Sequence, residues 1–376
     1  MATIYLIRHC ESEGNACRRA QAQTDALVTR KGFLQCEALR QHFAGIHVDA
    51  VYSSDTYRSV KTVEPIAKDR GLEVRVRFLL REITTGIWED MAWGNIAREY
   101  PEEHKVWTER PGDLITPGAN SFKEVSERVI FALRRIARDV GPDGVAVVSS
   151  HSCSIKAALC GIYGWTFDRV LECGHGENCS YSKLNIDERG NITVEFVHES
   201  SFMPKHLLKS WQGVAGSDIN MVVTPCILPN QKDTVLELAA AAARERGVAF
   251  EEDVFLREVE HALKDCPWAL AVACLHEKPV GYVLSGTDDR LPEGWGVIRQ
   301  MYMVPELQGK GYGDQLFGFA AHEMRYAGKS TVAAPKDCTP EEQRIIDRFV
   351  FSPDGTFADL YSMPLFCPKL DYPVLP

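Results

Sequence analysis

The chain opens on a short apolar run at residues 3–7, and similar runs follow at Asp49-Ala50-Val51-Tyr52-Ser53 and Val145-Ala146-Val147-Val148-Ser149. Brief runs with few polar interruptions predict strands buried on both faces of a sheet. Between them Phe33, Leu34, Ala38, Leu39 and Phe43 recur at helical spacing. A second helix is predicted over 122–140, behind Asn120-Ser121, where Glu124 and Ser121 stand at the spacing of a capping box. Residues 181–186 and 192–197 alternate apolar and polar side chains around a turn at 187–191, which predicts a closing hairpin. Strands alternating with helices predict an α/β sandwich.

The pattern breaks at 200–217, where Pro204, Gly213 and Gly216 interrupt any periodicity. This predicts a first domain over 1–200, a linker over 201–217 and a second domain over 218–376. The second half predicts strands at 221–224, 268–275, 280–285, 297–304 and 331–334, with a last strand region at 356–365. Helices are predicted at 234–246, 251–264, 314–327 and 340–349, so this half is a mixed α+β domain.

Composition narrows the possibilities. A chain of 376 residues suits two domains, and 45% hydrophobic with 25% charged residues excludes a disordered or fibrous chain. No window approaches the roughly 18 consecutive apolar residues of a membrane span, and no basic n-region precedes the first apolar run, so a cytoplasmic protein without a membrane partner is expected. Twelve scattered cysteines then read as reduced thiols. The formal charge of -10 is uneven: residues 1–205 hold 26 basic and 28 acidic side chains, and the remainder hold 16 and 24. Neither half has the basic excess of a nucleic-acid binder, and the acidic second half favours cations such as protonated amines, although a plain solvated surface explains it equally simply.

Candidate chemistry gathers where the predicted strands end. Arg8 and His9 follow the first strand, Arg58 follows the one ending at Ser53-Ser54, and His151 follows the one ending at Ser149-Ser150. Ligands of open α/β sheets bind beyond the carboxyl ends of strands, so neighbouring strands would bring these four into one pocket. A neutral imidazole nitrogen can attack phosphorus while guanidinium groups fork onto the phosphoryl oxygens. Glu82 is the nearest candidate to protonate the leaving alcohol, provided its surroundings raise its pKa.

The ordered set Arg8-His9, Glu11-Ser12, Asn15, Ser54-Asp55-Thr56-Tyr57-Arg58, Leu80-Arg81-Glu82, Gly86-Ile87-Trp88-Glu89, Pro117-Gly118 and Ser150-His151 resembles the histidine phosphatase superfamily, in its phosphoglycerate mutase-like branch, over about 200 residues. The resemblance implies that His9 becomes a phosphohistidine, that Arg8, Arg58 and His151 complete the phosphate pocket with Asn15 in support, and that Glu82 is proton donor and later base. It implies no metal. Cys10 and Ser152 depart from the family's usual glycines, and Cys10 is either a packed small residue or a redox-sensitive thiol. The mutases carry Glu-Arg-His-Tyr-Gly where this chain has Glu82-Ile83-Thr84-Thr85-Gly86, which favours a phosphatase. Trp88 and Trp93 either line the pocket or pack beneath it. The segment Cys173-Gly174-His175-Gly176-Glu177-Asn178-Cys179 matches no common zinc spacing and reads as a substrate-side loop or plain turn.

The second half has its own candidate. The predicted strand Met301-Tyr302-Met303-Val304 runs into Pro305 and then Gln308-Gly309-Lys310-Gly311-Tyr312-Gly313 at the head of a helix. Glycines allow a tight turn whose N–H groups, with the helix dipole, hold a pyrophosphate. The absence of Gly-Lys-Ser/Thr and the preceding antiparallel-looking strands argue against a P-loop or dinucleotide fold. The combination resembles the GCN5-related N-acetyltransferase (GNAT) family over about 221–365. That implies acetyl-CoA, with its pyrophosphate on the amides of Gln308 to Gly313 and its pantetheine arm along the backbone of Met301, Met303 and Val304. The family's usual acid, a tyrosine in the penultimate helix, is absent from Arg344-Ile345-Ile346-Asp347-Arg348-Phe349. Asp288, Asp289 and Glu293 are candidate bases, with solvated loop carboxylates as the plainer reading.

The expected protein therefore joins a phosphohistidine-dependent phosphatase to an acetyl-CoA-dependent N-acetyltransferase. Its expected partners are a small phosphomonoester and a small amine, and these are consecutive forms of one molecule if the halves share a pathway. The alternatives are a phosphatase regulated by a non-catalytic acetyl-CoA-binding module, or a phosphoprotein phosphatase. The sequence does not fix the oligomeric state.

Overall fold

The structure is a computed structural model and describes residues 1–114, 116–208 and 219–372. Part of the predicted linker, 209–217, lies outside the described residues.

Six strands build the first sheet: β1 (Ala2–Arg8), β2 (Ala50–Ser53), β3 (Val74–Val76), β4 (Val145–Ser150), β5 (Tyr181–Ile186) and β6 (Ile192–Glu199). Their order is β3-β2-β4-β1-β5-β6, parallel from β3 to β1 and closed by the antiparallel hairpin β5-β6. The parallel strands are buried on both faces because helices cover both. The first domain's helices are α1 (Glu13–Ala16), α2 (Arg30–Phe43), α3 (Tyr57–Lys68), α4 (Trp93–Glu99), α5 (Pro101–Glu109), α6 (Phe122–Val140) and α7 (Ser152–Ile162). Helix α6 starts where its sequence signal puts it. Ser121 Oγ accepts from the Glu124 amide and Glu124 returns a bond to the Ser121 amide, satisfying two donors that a bare helix end would orphan.

The second sheet contains β7 (Val222–Pro225), β8 (Leu270–Leu275), β9 (Lys278–Gly286), β10 (Trp295–Met303), β11 (Thr331–Pro335), β12 (Ser352–Pro353) and β13 (Leu360–Pro364). Its order is β12-β13-β11-β10-β9-β8-β7, flanked by α8 (Lys232–Arg246), α9 (Glu252–Asp265), α10 (Tyr312–Tyr326) and α11 (Pro340–Arg348). β10 and β11 pair only from Trp295 to Val297, so past a bulge at Ile298 the two strands part.

The domains are joined by more than a linker. Ala16 and Cys17 of the first domain belong to the same apolar cluster as Leu316, Phe317 and Ala320 of α10. The approach is close enough that a Cβ on Gly318 would stand 2.4 Å from the Cys17 Cβ, so only glycine fits there. Arg325 of α10 pairs with Glu13, His322 with Asp90, and Asn95 of α4 bonds both the N–H and the C=O of Val223 in β7. Met203 and Leu207, inside the predicted linker, are buried in the first domain's core, and Leu370 and Tyr372 from the chain's far end pack on the same cluster.

Candidate active sites

Strands β2, β4 and β1 are neighbours, so the residues after their carboxyl ends converge. Arg8, His9, Asn15 and Glu82 line one cavity of about 300 Å³. Arg58 and His151 lie fully buried beside it, with their own side chains 3.5 Å apart, and the rings of His9 and His151 have centroids 5.1 Å apart.

The hydrogen bonds fix the imidazoles. His9 Nδ1 lies 2.7 Å from the Cys10 carbonyl oxygen, which can only accept, so Nδ1 carries the proton and Nε2 the lone pair. His151 Nδ1 faces the Arg58 guanidinium, which can only donate, and Nε2 is 2.7 Å from Ser54 Oγ, so Nε2–H donates to the hydroxyl. Burial, reinforced by Arg58, holds both histidines well below the ordinary imidazole pKa, leaving them neutral near pH 7.

The supporting shell is backbone-rich. Arg8 donates to the Gly176 carbonyl, and Arg58 donates to the carbonyls of Ala22 and Thr24 and lies 3.4 Å from Asp25. Glu82 sits at the start of α7, where its carboxylate accepts from the amides of Cys153 and Ser154 at 3.0 and 2.8 Å. Asn15 Oδ1 accepts from the Ser12 amide and from Asn178 Nδ2. Asn178 also donates to the His9 carbonyl at 2.9 Å, so the segment 173–179, whose His175 and Asn178 line the cavity, braces the backbone of His9. Its sequence carried no signal for that bracing, because a buried asparagine in a glycine-rich turn looks like any turn residue.

The remaining alternatives divide. Trp93 lines the cavity, stacked on Trp107 at 5.6 Å between centroids, whereas Trp88 is wholly buried beneath them. Cys10 is packed in the core, its thiol pushed well up by burial, which leaves it in the unreactive protonated form. Ile83 and Thr85 line the cavity, Thr85 also bonding Glu89, while Thr84 bonds Asn120. No arginine, histidine or tyrosine stands at positions 83–85.

In the second domain Gly309 and Gly311 adopt φ of +68° and +84°, the left-handed region that makes the turn into α10. The amide of Gly309 donates to both carboxylate oxygens of Glu341 at 3.1 Å, and the amide of Met301 donates to Glu342 at 3.3 Å. Gln308 reaches the Met303 carbonyl and Glu245, Lys310 is exposed, and Tyr312 and Gly313 are buried in the first turn of α10. A loop amide already holding a carboxylate is suited to an anion, and the parting of β10 from β11 opens beside it, so these residues fit the pyrophosphate and arm of acetyl-CoA. Val304 follows β10 directly and lines its apolar flank. No tyrosine stands in residues 344–351, where Ile345, Ile346 and Phe349 pack into the core and Phe349 stacks on Phe317. Asp288, Asp289 and Glu293 precede β10 at its paired end, five residues or more and so roughly 16 Å of strand from the parting, and Asp288 is engaged by Arg290. They are badly placed as bases for chemistry there. Among the described residues no cluster of His, Cys, Asp and Glu is arranged to hold a metal, and no helix is long and apolar enough to cross a membrane.

Two family models match the chain. The model of the histidine phosphatase superfamily (branch 1) matches residues 4–198, just over half of the chain. The chain belongs to the histidine phosphatase superfamily. The model of the acetyltransferase (GNAT) family matches residues 235–347, so this histidine phosphatase also carries a GNAT domain. The histidine phosphatase is 31% identical over 195 residues to phosphoserine phosphatase 1 of Hydrogenobacter thermophilus, covering 52% of the chain and 92% of that protein. It is 28% identical over 210 residues to a probable phosphoglycerate mutase, GpmB, of Salmonella typhi, covering 55% and 95%. Among solved structures, YhfR of Bacillus stearothermophilus shares the fold at a TM-score of 0.51 and 22% identity, over 54% of this chain and 99% of that one.

Proposed function

We propose that the protein hydrolyses small phosphomonoesters through a phosphohistidine and N-acetylates a small amine with acetyl-CoA. The observation that carries the first activity is the buried His9 imidazole, neutral and with its lone pair on Nε2, beside two arginines and a second neutral histidine. His9 Nε2 attacks phosphorus as the bond to the leaving oxygen breaks. Arg8, Arg58 and His151 offset the charge that builds on the phosphoryl oxygens, Asn15 and Asn178 hold the loop, and Glu82 gives the departing alkoxide its proton. Glu82 then takes a proton from water as that water attacks the phosphohistidine, releasing phosphate and restoring His9.

Acetyl-CoA would supply an activated acyl carbonyl. The chain's part is to hold its pyrophosphate at Gln308, Gly309, Lys310, Gly311, Tyr312 and Gly313 and its arm beside Met301, Met303 and Val304, with much of the rate coming from positioning. The fusion, the acidic second half and the name of the phosphoserine phosphatase relative support a phosphorylated amine as a shared substrate, processed in consecutive steps. Cysteines that form no disulfide among the described residues support a reducing, cytoplasmic setting. Two measurements test this reading: phosphate release from a panel of amine phosphates, including phosphoserine and phosphopeptides, against a His9→Ala control, and thiol release from acetyl-CoA over the dephosphorylated amines. A panel hydrolysed no faster than by His9→Ala refutes the phosphatase assignment, and hydrolysis confined to phosphopeptides replaces the small molecule with a phosphoprotein.

The absence of a tyrosine from residues 344–351 favours a second reading, in which the GNAT domain binds acetyl-CoA without turning it over. Calorimetric binding without thiol release on any amine would select it.

A further inference from the structure

Helix α11 carries two unusual sets of contacts, one at each end. At its N-terminal end, the inward Glu341 carboxylate, 12% exposed, lies on the Gly309 amide, and Glu342 lies on the Met301 amide and pairs with Arg246 at 2.6 Å. These are backbone donors at two places where the proposed co-substrate would lie, one for its pyrophosphate and one for its arm. At the other end Arg348 leaves the GNAT domain and donates to Glu11 Oε1 of the phosphatase at 3.1 Å. Its other terminal nitrogen lies 3.1 Å from Asp314 in the first turn of α10, directly after the glycine loop.

Glu11 is two residues from His9 and lines the phosphatase cavity. Thr29 and Lys31 hold the same carboxylate, and the Glu11 amide donates to Gln35, so the loop between β1 and α1 is set by this group of contacts. Seven residues separate Glu341 from Arg348, two turns of one helix and about 10 Å. Ile345 packs against Gly313 and Phe349 stacks on Phe317, so α11 rests on α10 as a short rigid body.

Resting on the acetyl-CoA reading of the glycine loop, we propose that acetyl-CoA is an effector of the phosphatase, acting through α11. Its pyrophosphate displaces the Glu341 carboxylate from Gly309 by competition for one amide and by like-charge repulsion. The helix shifts, and Arg348 loosens its hold on Glu11. The loop carrying His9 then loses one of its anchors, so acetyl-CoA lowers phosphatase activity. Linkage requires the converse for binding: to the extent that acetyl-CoA weakens binding of a phosphoryl group in the pocket, a filled pocket weakens acetyl-CoA binding.

The test uses the full chain. Hydrolysis of a chromogenic aryl phosphate is followed while coenzyme A is titrated in, and coenzyme A affinity is measured by calorimetry with and without orthovanadate as a phosphoryl mimic. The expected result is a saturable fall in kcat/KM of about five-fold or more, half-complete at the calorimetric Kd, with vanadate raising that Kd. Glu341→Gln should bind coenzyme A more tightly, and Arg348→Met should bind it while its phosphatase rate no longer responds. Binding to the wild type with kcat/KM unchanged overturns the coupling alone. A full response in Arg348→Met overturns α11 as its route. If neither wild type nor Glu341→Gln binds coenzyme A, the acetyl-CoA reading itself fails. The wild-type measurements need no variant to fold.

Discussion

Arg325 in the GNAT domain donates to both carboxylate oxygens of Glu13 in the phosphatase, at 2.6 and 3.2 Å, and the Glu13 side chain is only 2% exposed. A carboxylate so enclosed has no water to replace its partner. Arg325→Met should therefore destabilise the protein by about 3–5 kcal/mol, the loss expected when one member of a buried pair is removed. Because Glu13 is contiguous with the phosphate loop, urea unfolding should show this loss by probes placed in either domain.

The buried histidines set a pH dependence. His9 and His151 have native pKa values well below the roughly 6.5 of an unfolded imidazole, chiefly through burial. Below pH 6.5 the unfolded chain binds protons that the native chain refuses, so their contribution is complete above 6.5 and declines as pH falls, by up to about 1.4 kcal/mol per unit for each histidine. The acid limb of kcat/KM should fall below pH 6.5 for the same reason. A limb at or above 6.5 would contradict the neutral-nucleophile geometry.

Covalent chemistry at His9 predicts a trapped intermediate. A brief reaction with labelled substrate, quenched and worked up in mild alkali, should leave acid-labile phosphate on His9. Glu82→Gln should slow turnover by about 10²–10⁴-fold while the label still forms from a substrate with a good leaving group. Label on any other residue would sink the assignment.

The stacked Trp93 and Trp107 predict specificity. Trp107→Ala removes one wall of the cavity and should raise KM for substrates with bulky leaving groups while changing kcat little. Comparing a small and a large phosphomonoester in that variant measures the effect directly.

Much of this was legible in sequence where local physics decides. The bounds of α6 and the β5-β6 hairpin follow from a capping box and an alternating pattern, which are properties of neighbouring residues. The gathering of Arg8, His9, Arg58 and His151 followed from a rule about strand ends, and needed only that β2, β4 and β1 be adjacent. Asn178 was silent because its value lies in reaching residues 163 and 169 positions away. The domain junction was silent for the same reason: Glu13 and Arg325 are 312 residues apart, and no period connects them. Met203 and Leu207 were assigned to a linker because two isolated apolar residues beside a proline establish no pattern, although each finds a core.

Asn95 gives the junction a further consequence. β7 is the last strand of its sheet, and its outward N–H and C=O at Val223 are answered by a side-chain amide that imitates another strand. Cut free of the phosphatase, the GNAT half would present that margin unguarded, an invitation to add strands from other copies and aggregate. The two halves have ceased to be interchangeable parts: one now chaperones the rim of the other.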